Sequence, residues 1–296
     1  SRRLMPGSRS ADGTTEDEWG VVRRYEAGDE QIVTFPLKHA SVDDIPEART
    51  ADPALVWKYD EARNQGRKLQ NEGFAVVAQP NCQGVFEQAC WLCGFERILM
   101  DILTQPDFVH ALFEKITRIQ ETYARDYYGT VGNFADIVQL GDDFGTQQGP
   151  FLGSGHYCEF IRPYQMRYHK AIREGTDAAI FHHSCGSVYK LLDAMIESGI
   201  DILNPVQVGA ADMDPMRLKE EFGDRIVFHG TIDDQKFLPV KSPAEIRSEV
   251  KRLIRIFGPG GGYILAPSHN IQDDTPPENI TAMFDAALEF GTYPIR

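Results

Sequence analysis

The sequence predicts an α/β protein, a (β/α)8 barrel, from three observations. From about residue 135 onwards, short apolar segments rich in β-branched residues alternate with amphipathic helical segments. This alternation, without a strong linker, indicates a parallel sheet covered by helices. Polar clusters follow nearly every strand, which favours a closed barrel over an open doubly wound sheet with one crossover point. About six strands can be counted, roughly two fewer than a full barrel has.

The first half of the chain contains less regular structure. Residues 1–17 are polar and rich in Gly, Ser and Arg, so they are expected to be a disordered tail before a single domain at residues 18–296. A helix is predicted around residues 53–72, and a buried strand at residues 74–78. From Pro106 onwards apolar residues recur every three or four positions up to Gly129, which predicts one helix with a buried stripe.

The second half carries the regular alternation. Asp214 is expected to cap one of its helices, and Ser242 with Glu245 forms the capping box of another. Gly199 follows the helix that precedes the predicted strand at residues 201–207, and glycine is favoured at such a helix end because it adopts a left-handed conformation. The predicted strands lie at residues 135–140, 178–183, 201–207, 225–229 and 263–266.

Composition excludes several classes of function. The formal net charge of -14 argues against a protein that binds the phosphate backbone of nucleic acids. No apolar run reaches the length of a membrane span, so no membrane association is expected. Five irregularly spaced cysteines in 296 residues favour a reducing compartment over a disulfide scaffold. A soluble, cytoplasmic protein is therefore expected.

His183 and Cys185 form the pair with the clearest chemistry. They end an apolar, β-branched segment, and residues i and i+2 of an extended chain point to the same side. An imidazole and a thiolate would thus enter one space, and both are good ligands for Zn²⁺. The alternative is that they are two ordinary core residues. His182 is expected to face the opposite way.

Polar residues after the other strands would converge on the same mouth of a barrel, where active sites of this fold lie. His269 is the best third metal ligand, leaving a fourth position open as catalytic zinc requires; the alternative is a metal-free acid or base. Adjacent residues on a strand point apart, so only one of two neighbouring aspartates is expected to face the site. Asn204 and Asp234 are interpreted as cap or turn residues, and His229 as a buried histidine. The remaining candidates are Asp142, Asp143, Gln147, Gln207, Asp233 and Gln272.

Five segments of the chain resemble the uroporphyrinogen decarboxylase superfamily: HHSCGS at 182–187, GIDILNPVQ at 199–207, LKEEFGD at 218–224, HGTID at 229–233 and GGYILAPSH at 261–269. The resemblance extends from about residue 19 to the C-terminus and implies a (β/α)8 barrel. It also implies that relatives place their first one or two strands before the point where this chain begins. That expectation explains the low strand count and allows for a fragment, or for a partner that completes the barrel.

The superfamily has two activities. One branch removes the acetate carboxylates of uroporphyrinogen without a cofactor, and the other comprises zinc-dependent methyltransferases that use a corrinoid protein or a thiol such as coenzyme M. His183 and Cys185 fall on the zinc motif of the methyltransferase branch. That branch commonly has a second cysteine where this chain has His269. The arginine-bearing N-terminal segment of the decarboxylases has no match here.

The resemblance therefore implies a zinc-dependent methyltransferase that moves a methyl group between a small substrate and a corrinoid protein. Zinc would be held by His183, Cys185 and His269, with Asp143 and His269 carrying the polar chemistry. Asp142, Gln147, Gln207, Asp233 and Gln272 would bind or orient the substrate, and a homodimer is expected. The alternatives are a cofactor-free decarboxylase that uses Asp143 and His269, and a non-catalytic corrinoid- or metal-binding module.

Overall fold

Six parallel strands alternate with helices among the residues that the structure describes, which confirms the α/β class and the strand count. The structure is a computed structural model, and it describes residues 13–26, 29–51, 59–79 and 84–295. Residues 1–12 of the expected tail lie outside these ranges, as do residues 53–58 of a predicted helix. The rest of the expected tail includes a short strand at Thr14–Glu16. The single domain at residues 18–296 stays a prediction.

Nine strands occur in the described residues. They are β1 (Thr14–Glu16), β2 (Val22–Glu26), β3 (Asp29–Thr34), β4 (Val77–Ala78), β5 (Ile137–Gly141), β6 (Ala179–His183), β7 (Ile202–Val206), β8 (Val227–Ile232) and β9 (Tyr263–Pro267).

The principal helices lie between and after these strands. They are α1 (Tyr59–Asn71), α2 (Val85–Cys93), α3 (Phe95–Thr104), α4 (Pro106–Val131), α5 (Arg162–Arg173), α6 (Leu192–Glu197), α7 (Pro215–Phe222), α8 (Pro243–Phe257) and α9 (Pro277–Phe290).

The chain divides into two compact units. Unit 1 comprises Ser1–Asp142 and Gly155–Ile180. In it β1, β2 and β3 form an antiparallel sheet, and β4 runs parallel to β5. Helix α4 spans 26 residues, and its apolar positions from Phe108 to Tyr127 are buried at the predicted spacing of three or four. The long helix and its buried stripe are thus confirmed.

Unit 2 comprises Asp143–Ser154 and Phe181–Arg296. Strand β6 begins in unit 1 and ends in unit 2, where it is followed by the parallel strands β7, β8 and β9. The pairing of β6 with β7 sets His183 beside Asn204. The Asp214 side chain accepts a hydrogen bond from the Arg217 N–H, and Ser242 forms a capping box at α8, so both predicted helix starts are confirmed.

No helix within the described ranges combines the length and the apolar character that a membrane crossing requires.

Candidate metal centre

The C-terminal end of β6 brings an imidazole and a thiol together. His183 is the last residue of the strand, and Cys185 lies two residues later in the loop that follows. His183 Nε2 lies 3.3 Å from Cys185 Sγ. Both side chains are half-buried, so they are shielded by the fold and still reachable from solvent. The sequence spacing thus corresponds to a real contact between the two groups.

His269 completes a group of three possible ligands. It follows β9, and its ring centroid lies 5.9 Å from that of His183. One ligand atom from each of His183, Cys185 and His269 can be chosen so that all lie within 4.8 Å of one another. His269 is the exposed member of the three. The three residues come from two strand ends of unit 2.

The loop that carries Cys185 is held by side chains from other strands of unit 2. Asp143 Oδ1 accepts a hydrogen bond of 2.8 Å from the Cys185 N–H, and Gln207 Oε1 accepts one of 2.8 Å from the Gly186 N–H. Gly186 has φ +79, and a Cβ there would lie 2.6 Å from the Thr146 carbonyl oxygen. Only glycine tolerates both conditions, so this turn depends on Gly186.

Asp143 also faces the imidazole. Its Oδ1 lies 3.7 Å from His183 Nε2, and its side chain is 40% exposed. The carboxylate therefore positions the Cys185 loop and stands close enough to the cluster to act on a molecule bound there. The catalytic role predicted for Asp143 is compatible with this position and stays a prediction.

Two further residues, Asn204 and His229, form a row with His183, and the sequence did not indicate either as a site residue. His183 Nδ1 lies 2.6 Å from Asn204 Oδ1, and Asn204 Nδ2 lies 2.8 Å from His229 Nδ1. The interpretation of Asn204 as a cap or turn residue is wrong, because it lies within β7 and its amide contacts two imidazoles. Burial, together with the neighbouring His183, lowers the pKa of His229 to about 4.

The other predicted substrate-binding residues have different surroundings. Asp142 is buried in unit 1, where its carboxylate accepts hydrogen bonds from the Phe86 and Glu87 N–H groups at the start of α2. This arrangement anchors a helix N-terminus. The carboxylate of Asp142 therefore stabilises the start of α2. Its predicted role in substrate binding stays a prediction.

Asp233, Gln147 and Gln272 lie in unit 2. Asp233 Oδ1 accepts hydrogen bonds of 2.8 Å from the Gln235 and Lys236 N–H groups, so it caps a turn after β8. Gln147 and Gln272 are exposed, and Gln272 Nε2 donates to the Asn270 carbonyl. Asp234, next to Asp233, lies in a turn as predicted, and burial raises the pKa of its carboxyl group. The substrate-binding roles of these residues stay predictions.

Comparison with known proteins identifies the family. The model of the family described as "Uroporphyrinogen decarboxylase (URO-D)" matches residues 31–290. This chain belongs to the uroporphyrinogen decarboxylase family. The resemblance seen in the five sequence segments is thereby confirmed, and the family is one of enzymes.

Curated relatives bear the name of this family, and a solved structure shares the fold. A uroporphyrinogen decarboxylase of Methylococcus capsulatus is 26% identical over 203 residues, which is 67% of this chain and 53% of the relative. The chain thus spans about half the length of that relative. A second one, from Alkalilimnicola ehrlichii, is 25% identical over 94% of this chain and 74% of the relative. A methyltransferase from Methanosarcina mazei superposes with TM-score 0.64 at 17% identity, over 93% of this chain and 77% of that one, and so shares the fold.

The donor set of this uroporphyrinogen decarboxylase family member fits zinc. Bonds of about 2.0–2.1 Å to nitrogen and 2.3 Å to sulfur place the two atoms about 3.6 Å apart in a tetrahedral site. The observed separation of His183 Nε2 and Cys185 Sγ, 3.3 Å, is close to that value. The Nδ1 atom of His183 is engaged by Asn204, so Nε2 is the nitrogen that faces the thiol, as a metal ligand requires.

Proposed function

We propose that the chain is a zinc-dependent methyltransferase, which moves a methyl group between a small substrate and a corrinoid protein. The substrate would be a methyl ether, a methylamine or a thiol. The observation that carries the proposal is the approach of one ligand atom from each of His183, Cys185 and His269 to within 4.8 Å of one another. A thiol between two imidazoles is a set of ligands that zinc prefers.

His183, Cys185 and His269 would hold the ion. Bound zinc would supply Lewis acidity, which lowers the pKa of a thiol or stabilises a leaving oxygen. Three protein ligands would leave one position for substrate. The chain's own groups would do the rest: Gln207 and Asp143 hold the loop of Cys185, and the partly exposed Asp143 carboxylate can orient a substrate or take its proton.

The residues around His183 favour this activity over the cofactor-free decarboxylase. The neighbouring groups are a thiol, a carboxylate, an amide and an imidazole, in Cys185, Asp143, Asn204 and His269. These groups suit a cation, whereas a substrate with many carboxylates calls for cationic side chains. The curated relatives bear the decarboxylase name at low identity, so that activity is the alternative to test.

Metal content is the first test. Elemental analysis of untagged protein should find about one zinc per chain, and Cys185→Ser should lose it. Cys158→Ser is the matched control, because Cys158 is half-buried like Cys185 but lies in unit 1. Zinc that persists in Cys185→Ser, or wild-type protein without metal, would contradict the proposal.

Turnover is the second test. Zinc-loaded protein should demethylate methylcobalamin in the presence of a thiol such as coenzyme M, or methylate cob(I)alamin from a methoxylated substrate. Cys185→Ser should do neither. Formation of coproporphyrinogen from uroporphyrinogen, at equal rates in wild type and Cys185→Ser, would support the decarboxylase instead. The corrinoid protein that serves as partner would be sought by repeating the assay with a separately expressed corrinoid domain.

A further inference from the structure

Asn204 lies between two histidines on neighbouring strands. It is part of β7, with His183 beside it on β6 and His229 on β8. The three side chains form a row: His183 Nδ1 lies 2.6 Å from Asn204 Oδ1, and Asn204 Nδ2 lies 2.8 Å from His229 Nδ1. The row ends at the nitrogen of His183 that faces Cys185 Sγ, namely Nε2.

We propose that Asn204 is a positioning residue that sets the tautomers of both histidines, so that His183 presents the lone pair of Nε2 to a metal. The inference rests on the proposed function, because it takes His183 to be a metal ligand. It assigns a role to two residues, Asn204 and His229, that are not among the three candidate ligands.

The two ends of an amide differ in their hydrogen bonding. The oxygen of Asn204 can only accept, so the proton of His183 must lie on Nδ1, and Nε2 keeps its lone pair. The NH₂ group can only donate, so Nδ1 of His229 must be an acceptor and its proton lies on Nε2. An amide turned by 180° would reverse both assignments. His183 would then carry its proton on Nε2 and could not bind a metal there.

His229 is the second partner of the amide and lies at its nitrogen end. Its Nδ1 can accept from the amide NH₂ group only when that nitrogen carries no proton. Its ring is packed edge-on against Phe181, with centroids 4.9 Å apart at 76°. Asn204 itself is 8% exposed, and its backbone carbonyl accepts a hydrogen bond of 2.7 Å from the Ser184 N–H. An amide held on both sides in this way can turn only if both histidines change tautomer together.

Two nearly isosteric variants separate this role from simple packing. Asn204→Leu keeps the size but removes both hydrogen bonds, so the affinity for zinc should fall about 10- to 100-fold. Asn204→Asp accepts at both ends. His183 then keeps its proton on Nδ1 and its affinity within about threefold of wild type, since a carboxylate is also a common partner of ligating histidines. Zinc affinity is measured by competition with a chromogenic chelator.

The tautomers are measured directly by ¹⁵N NMR of histidine-labelled, metal-free protein at neutral pH. Wild type should show His183 protonated on Nδ1 and His229 protonated on Nε2; His229→Gln assigns the second signal. In Asn204→Asp the proton of His229 should move to Nδ1 while that of His183 stays. Wild-type affinity in Asn204→Leu, or an unchanged His229 signal in Asn204→Asp, would overturn the inference.

The outcomes distinguish the inference from the proposed function. If wild-type protein binds no zinc, the proposed function fails, but the tautomers of His183 and His229 still test the role of Asn204. If wild type binds zinc and Asn204→Leu binds it equally well, only the inference fails. Circular dichroism and thermal unfolding of each variant show whether it has folded, and Asn204→Asp retains a polar group at the same position if Asn204→Leu does not fold.

Discussion

Asp142 and Asp143 are neighbours in the sequence, and each accepts hydrogen bonds from main-chain N–H groups, but they serve different units. Asp142 is 1% exposed and binds the Phe86 and Glu87 N–H groups at the start of α2 in unit 1. Asp143 is partly exposed and binds the Cys185 N–H beside the candidate metal centre of unit 2. The same type of side chain thus anchors a helix in unit 1, at Asp142, and provides an accessible carboxylate in unit 2, at Asp143.

The cysteines of the two units differ in the same way. In unit 1, Cys90 and Cys93 are buried, and burial raises the pKa of Cys90 well above its ordinary value and that of Cys93 to about 12. In unit 2, Cys185 is half-buried and its sulfur lies 3.3 Å from an imidazole nitrogen. Solvent access and a neighbouring base, rather than the residue type, therefore distinguish a reactive thiol from a packed one.

Thiol reactivity should show the largest difference between the units. At pH 8, a pKa of about 12 leaves roughly one Cys93 in ten thousand as thiolate. We expect iodoacetamide to alkylate Cys185 on the order of a thousand times faster than Cys90 or Cys93, as followed by peptide mass spectrometry. Added zinc should slow the labelling of Cys185 alone. Similar rates at the three positions would remove the proposed distinction.

Removal of the Asp142 side chain should affect stability and leave the metal centre unchanged. Asp142→Ala deletes a buried carboxylate with two charge-assisted hydrogen bonds, so the free energy of unfolding should fall by about 3 kcal/mol. Urea denaturation gives this value, and elemental analysis should still find the zinc of the wild type. A variant that is as stable as wild type but has lost its zinc would assign Asp142 to the site.

The pH dependence of stability should identify His229 as a histidine that is neutral when folded. Its pKa is about 4 in the folded protein and near 6.5 when unfolded, so the unfolded state binds more protons as the pH falls between these values. The contribution of neutral His229 to the free energy of unfolding is therefore complete above pH 6.5 and is lost towards pH 4. The loss should be about 2 kcal/mol after allowance for the partial exposure of the ring.

His229→Phe removes the titrating group and provides the control. Its free energy of unfolding, measured in urea at several pH values, should decline less than that of wild type between pH 6.5 and 4. Parallel curves for the two proteins would show that His229 does not have a depressed pKa. Burial would then have less effect on this base than on the thiols of unit 1, where it acts in the opposite direction because it disfavours the charged form.

Asp143→Ala should produce the smallest change and the opposite pattern to Asp142→Ala. The loss of the bond to the Cys185 N–H should weaken zinc binding about tenfold, because the loop is held less firmly. The partly exposed side chain contributes little to folding, so the free energy of unfolding should change by less than about 1 kcal/mol. Chelator competition measures the first value and urea denaturation the second. Equal stability losses in both aspartate variants would contradict the comparison.

Local patterns were sufficient to predict the elements and the central motif. The recurrence of apolar residues every three or four positions determined α4, and the alternation of strands with helices determined the α/β class. The spacing of His183 and Cys185 brought imidazole and thiol together, since side-chain direction in an extended segment depends only on parity. These features arise within a few residues of one another, where the covalent geometry of the chain decides the outcome.

Contacts between strands could not be predicted from such local patterns. Asn204 lies 21 residues after His183, and His229 lies 25 residues after Asn204. The register of the strands nevertheless places the amide between the two imidazoles. Likewise, Asp142 and Asp143 look equivalent in the sequence, and only the tertiary structure decides which carboxylate binds α2 and which stands beside Cys185. Register and burial depend on how distant segments pack, so the sequence by itself determined the candidate ligands, whereas the fold determined the residues that hold them in place.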